Sequence, residues 1–138
     1  MQILHNKSDL REQISAWRRA GDRIALVPTM GSLHAGHLSL VELARQHADR
    51  VVATVFVNPT QFGAGEDFDE YPRTLDSDAA QLETEQVDLL YAPDEADIYP
   101  FGTEAATRVI VPGLGDEFCG AGRPGHCLLY TSPSPRDA

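Results

Sequence analysis

Cysteine is scarce, basic side chains are outnumbered, and no long apolar run is present. Cys119 and Cys127 are the only cysteines among 138 residues. They form neither a disulfide framework nor a metal-ligand spacing, as expected in a reducing compartment. Lys and Arg number 11 against 21 Asp and Glu, a formal net charge of −10. So acidic a surface repels nucleic acid and anionic membranes, and neither is expected as a partner. A small anionic ligand stays compatible wherever one cleft is locally positive. No apolar stretch approaches a membrane span, and MQILHNKSDL has neither the basic flank nor the apolar core of a signal peptide. The expected localisation is cytoplasmic. The Walker pattern G-x-x-x-x-G-K-[ST] is missing too, which argues against a P-loop enzyme.

What is present reads as one domain of alternating strands and helices, long enough to bury a core. Ser8 can cap a helix whose Leu10, Ile14 and Trp17 share a face, with Gly21 as its terminator. RIALVPTM follows as a short apolar strand. From Gly36 onward Leu40, Leu43, Ala44 and His47 repeat at helical spacing. VVATVFVN, residues 51–58, is β-branched and nearly all apolar, as a parallel strand covered on both faces would be. QFGAGEDFDEYPRT reads as a long loop, Leu75 to Gln86 as a third helix, VDLLYAP as a strand, YPFGTE as a turn region and TRVIVP as a last strand. The alternation predicts an α/β fold, a Rossmann-like, mainly parallel sheet flanked by helices. Serine and proline density marks the ending CLLYTSPSPRDA as irregular. It looks like one reading frame of a transposon-derived sequencing adapter, so residues 127–138 are set apart as a non-native tail and 1–126 as the working domain.

The stretch VPTMGSLHAGHLSLVELA, residues 27–44, carries the chemistry. His34 and His37 are three residues apart, so a helix beginning near Ala35 sends both imidazoles from its first turn toward one side. Unpaired amides and the positive end of the helix dipole attract anions there, and the imidazoles add donors. Gly31 allows a sharp turn after the strand, and Gly36 lets a flat ligand such as a purine lie on the backbone. In an open parallel sheet this place, beyond the carboxyl end of a strand, is where ligands bind. An isolated His-x-x-His is more often an ordinary surface pair, and a zinc site lacks a third ligand at familiar spacing. The preceding strand, the paired glycines and the helical run that follows favour a nucleotide triphosphate cradle. Its expected residues are Met30, Gly31, Ser32, Leu33, His34, Ala35, Gly36 and His37.

PTMGSLHAGH is similar to the nucleotide-binding signature of the pantothenate synthetase family. That family is related to class I aminoacyl-tRNA synthetases and other nucleotidyltransferases with a His-x-Gly-His motif. FVNPTQF, EDFDEYPRT, YAPDEADIYP and FCGAGRPGH resemble the family's successive blocks in order, so the likeness covers residues 1–126. It implies a ligase of pantothenate biosynthesis, on the route to coenzyme A. In that reaction pantoate attacks the α-phosphorus of ATP to give pantoyl adenylate and diphosphate, and β-alanine then displaces AMP. It further implies His34 and His37 as catalytic residues, ATP as a substrate with Mg2+ held by phosphates and water, no protein metal site, and a homodimer.

A right-handed crossover between the first two of these strands would bring FVNPTQF beside the histidine loop. The amides of Asn58 and Gln61 suit a hydroxy acid, able to donate to a carboxylate and accept from a hydroxyl. By resemblance Gln61 binds pantoate and lies near the β-alanine site. Asn58-Pro59 is equally a common turn opener. GAGRPG, residues 120–125, matches G-x-G-x-x-G but is rejected, since no glycine-led helix follows and Pro124 would sit in the pyrophosphate turn. Arg123 and His126 receive no role. The acidic run with Glu66, Asp67 and Asp69 reads as a solvated loop rather than a magnesium site. The chain stops where the family continues into a Lys-Asp-x-Gln segment and a smaller domain, so it is expected to be inactive alone. Another nucleotidyltransferase of the His-x-Gly-His type, or a non-catalytic nucleotide-binding module, are the alternatives.

Overall fold

A computed structural model describes residues 1–62, 68 and 70–105. The expected strand TRVIVP, the GAGRPG match, Cys119, Cys127, Arg123, His126, the acidic residues Glu66, Asp67 and Asp69, and the tail 127–138 lie outside the described residues. The chain forms two compact bodies. The first comprises Met1–Val57 with Tyr71–Ile98; of the second, residues 58–62, 68, 70 and 99–105 are described.

In the first body the order is β1 (Gln2–Leu4), α1 (Lys7–Ala20), β2 (Ile24–Thr29), α2 (Ala35–His47), β3 (Arg50–Val55), α3 (Leu75–Thr84), β4 (Leu89–Tyr91) and α4 (Glu95–Ile98). The four strands make one sheet in the order β1-β4-β3-β2, every pair parallel, as the α/β reading expects. Period-two alternation splits β3 between two cores. Val51 and Ala53 join Val27, Val41, Leu82, Val87 and Leu90 on the face covered by α2 and α3. Val52 joins Leu89 and Tyr91 on the other, against Leu10, Ile14 and Trp17 of α1. The two-sided burial predicted for this strand is what the structure has.

Several boundaries differ from expectation. Asn6, not Ser8, caps α1: its side chain accepts the Asp9 amide at 2.9 Å, so the helix opens two residues earlier than a Ser8 cap would allow. Gly21 ends it as predicted, in the left-handed conformation at φ 91 that a glycine adopts without strain. On α2 the core-facing side chain is Val41, 1% exposed, whereas Leu40 and Leu43 are half exposed. His34 fixes where the helix starts, and Leu40 then sits about 100° around the axis from Val41. β1 is only three residues long and shows no periodicity to read, and the expected YPFGTE turn region is preceded by the single turn α4. No helix among the described residues is long and apolar enough to cross a membrane.

In the second body Pro59–Gln61 form a 3-10 turn capped by Asn58, and Thr103–Ala105 form another. Phe62 and Phe68 pack edge to face, their ring centroids 5.3 Å apart.

Candidate functional site

β2 and β3 run in parallel register from Ile24↔Arg50 to Thr29↔Val55. Their carboxyl ends are tied by hydroxyls. Thr29 Oγ1 donates to the Thr54 carbonyl at 2.7 Å, and Thr54 Oγ1 accepts the Thr29 amide at 3.3 Å. The chain leaves β2 through Met30 and turns sharply at Gly31, φ 85, and Ser32, φ 51. A Cβ on Gly31 would stand 3.0 Å from Asp78 Oδ2 and 3.1 Å from a Val55 methyl, so both space and backbone conformation call for glycine. Leu33 packs against the core and His34 opens α2.

The two histidines do meet. Their ring centroids are 4.1 Å apart, with the planes inclined by 44°. They form a capping box made of imidazoles: His34 Nδ1 accepts the Gly36 amide at 3.0 Å, and His37 Nδ1 accepts the His34 amide at 3.4 Å. A nitrogen that accepts an N–H carries no proton of its own, so each neutral ring bears its proton on Nε2. The pair therefore offers two Nε2–H donors from one helix end without needing to be charged. Gly36 serves this arrangement, since a Cβ there would come within 2.9 Å of His34 Cε1. The close approach it permits here is that of the His34 ring.

The expectation of bare amides needs correction. The Gly31 amide donates to Thr29 Oγ1 at 3.1 Å, those of Ser32 and Leu33 to Asp78 at 3.0 and 2.9 Å, and those of His34 and Gly36 to the imidazoles. A helix that caps itself has few free donors on its first turn. What it still presents are the imidazole Nε2 edges and the helix dipole. Ser32 Oγ is buried with no hydrogen-bond partner among the described residues, a polar atom left unmet inside the motif. Burial and the neighbouring His34 hold the His37 imidazole below its ordinary value of 6.5, while the Asp78 carboxylate pulls it upward.

Asp78 was not singled out from sequence. It is 1% exposed and stands in the first turn of α3. Its two amide donors are 45 and 46 residues away, so no local pattern marks it. Asn58 and Gln61 belong to the second body and the histidine pair to the first. Asn58 Oδ1 accepts from the Thr60 amide at 3.1 Å, the Thr60 hydroxyl at 2.9 Å and the Tyr99 hydroxyl at 2.9 Å. The amide donor fixes which way the Asn58 carboxamide faces, and leaves Nδ2 as its end for a ligand. The turn-opening role is thus present, and the expected acceptance from a substrate hydroxyl is already used. Gln61 lies in the 3-10 turn, its amide donating to the Asn58 carbonyl at 3.1 Å. Among the described residues no group of three or more His, Cys, Asp or Glu side chains could hold a metal ion.

The model of the family described as pantoate-beta-alanine ligase matches residues 2–129. The pantothenate synthetase of Thioalkalivibrio sulfidiphilus is 62% identical over 143 aligned residues, which cover 98% of this chain and 50% of that protein. The one from Cellvibrio japonicus is 55% identical over 126 residues, 91% of this chain and 44% of that protein. The crystal structure of pantothenate synthetase from Thermus thermophilus superposes with a TM-score of 0.79 at 45% identity, covering 96% of this chain and 46% of that one. That of a Francisella tularensis pantoate-beta-alanine ligase, complexed with beta-gamma ATP and beta-alanine, gives 0.77 at 39% identity, covering 92% of this chain and 48% of that one. The chain spans about half the length of the curated relatives it matches. With its parallel sheet, its histidine-capped helix and a family match over nearly the whole sequence, the chain belongs to the pantoate-beta-alanine ligase family.

Proposed function

We propose that this chain carries the ATP-binding and pantoate-binding part of an enzyme that condenses pantoate with β-alanine. The observation that carries the reading is the self-capped histidine pair, which holds two imidazole N–H donors at the start of α2 on rings whose centroids are 4.1 Å apart. Met30 to His37 bind ATP, and His34 and His37 donate to its phosphates as charge develops there. Asn58, through Nδ2, and Gln61 bind pantoate and β-alanine, as the family likeness implies. In the first step a pantoate carboxylate oxygen bonds to the α-phosphorus and the bond to diphosphate breaks. In the second the β-alanine amine bonds to the acyl carbon and AMP leaves with the C–O electron pair. The mixed anhydride is useful only while water is kept away. Magnesium would arrive with the triphosphate, held by its phosphates and water. A cytoplasmic homodimer is part of the same proposal.

Calorimetric titration of the chain with ATP and pantoate, separately and together, tests the reading. Binding of both is expected, with no pantothenate released on adding β-alanine, because the chain spans half its relatives' length. ATP binding with no response to pantoate would point to a nucleotidyltransferase. Indifference to both would leave an interaction module and overturn the proposal.

A further inference from the structure

Among the described residues, one buried carboxylate has no task in the proposed reaction. Asp78 is 1% exposed, and burying a carboxylate is costly unless its lone pairs are met. Here they are met from two separate stretches of chain. Oδ2 accepts the Ser32 amide at 3.0 Å and the Thr74 hydroxyl at 3.0 Å, and Oδ1 accepts the Leu33 amide at 2.9 Å. The position in the first turn of α3 adds the favourable end of a helix dipole. The two amides are consecutive and follow the left-handed residues Gly31 and Ser32. Such a curl aims neighbouring N–H groups at a single anion. In this protein the anion is supplied by the chain itself.

We infer that Asp78 is a positioning residue for the histidine pair: its carboxylate clamps the Gly31–Leu33 turn and so sets where His34 opens α2 and where the two Nε2 donors meet the nucleotide. The inference rests on the ATP site proposed above and adds to it the residue that aims the donors. Only a carboxylate fills this place. An asparagine could accept one amide at its oxygen but would turn an NH2 toward the other N–H. A glutamate would need another methylene where a Gly31 Cβ already has no room against the Asp78 oxygen. Titratable groups face His37 from two sides, His34 from the cap of its own helix and Asp78 from α3; the first opposes an imidazolium at His37 and the second favours it.

Two variants of the 138-residue chain, D78N and T74V, test the role. Nitrogen-15 imidazole spectra report the tautomers of His34 and His37, a pH series gives the His37 midpoint, and calorimetry gives ATP affinity. Wild type should show Nε2–H on both rings. D78N should mix the tautomers, lower the His37 midpoint because the attracting charge is gone, and weaken ATP about tenfold or more. T74V keeps the charge but removes one hydrogen bond from it, and should mix the tautomers less and weaken ATP about two- to fivefold. A folded D78N with tautomers, midpoint and affinity at wild-type values overturns the inference. Should D78N fail to fold, T74V decides, and wild-type tautomers and affinity in that variant overturn it. If wild type binds no ATP, the proposed function fails, while the tautomer and titration measurements still judge Asp78.

Discussion

His34 Nδ1 accepts the amide proton of Gly36 at 3.0 Å, so the ring assigned to the ligand is also the cap of the helix that presents it. An imidazole can do both because its two nitrogens face apart. One satisfies an orphan amide, and the other, thereby forced to hold the proton, becomes the donor.

Replacing His34 by asparagine separates these tasks. Asparagine is a good N-cap and should leave thermal stability within about 0.5 kcal/mol of wild type, whereas alanine loses the cap and about 1 kcal/mol. Both variants lack the distal N–H, so both should bind ATP more weakly. Melting curves and calorimetry measure the two effects on the same samples. An asparagine variant that binds ATP like wild type would remove His34 from the phosphate site.

His37→Ala, made in a full-length relative carrying this motif, bears on the chemistry itself. Losing one donor to developing phosphate charge typically raises a barrier by about 3 kcal/mol, a hundredfold or more in rate. Adenylate formation in a single turnover should slow by that order, with pantoate affinity little changed. An unaltered single-turnover rate refutes the role.

The two glycines of the motif should respond differently to alanine. Gly31 sits at φ 85 with Asp78 and Val55 atoms at 3.0 and 3.1 Å from the added Cβ, so Gly31→Ala should cost stability by about 1–2 kcal/mol or more. Gly36 lies inside α2 with no positive φ, where alanine favours the helix. Its added carbon instead meets the His34 ring at 2.9 Å. Gly36→Ala should therefore keep or gain thermal stability while weakening ATP binding. Similar melting temperatures and similar affinities for the two variants would contradict this reading.

Three of the four strands, β2, β3 and β4, the stripe of α1 and the pairing of the histidines were legible in the sequence because each depends on spacing within one element. Leu10, Ile14 and Trp17 pack as their period predicts. The burial of Val41 in place of Leu40 and Leu43 was not legible, because α2 is apolar over more than one face and the cap decides its rotation. Nor was the use of the motif's amides by Asp78, Thr29 and the imidazoles themselves. Which donor a buried carboxylate reaches across 45 residues is a property of the packed sheet and helices, and no periodicity records it.

The electrostatics of His37 give a pH dependence with a definite sign. Its folded value is lowered from 6.5, chiefly by burial and then by His34, against the pull of Asp78. The unfolded chain then holds this proton more tightly than the folded one. Its contribution to stability is complete above the unfolded value and declines as the pH falls from there through the folded midpoint, below which it levels off. Bound ATP acts in the opposite sense, since polyphosphate charge favours the imidazolium and should raise the midpoint. By linkage the affinity should then tighten as the pH falls through the range of His37, until the nucleotide's own phosphate takes up a proton. Imidazole chemical shifts followed from pH 8 to about 5, with and without ATP, measure both midpoints. A His37 midpoint that ATP leaves unmoved would mean that the phosphates rest elsewhere.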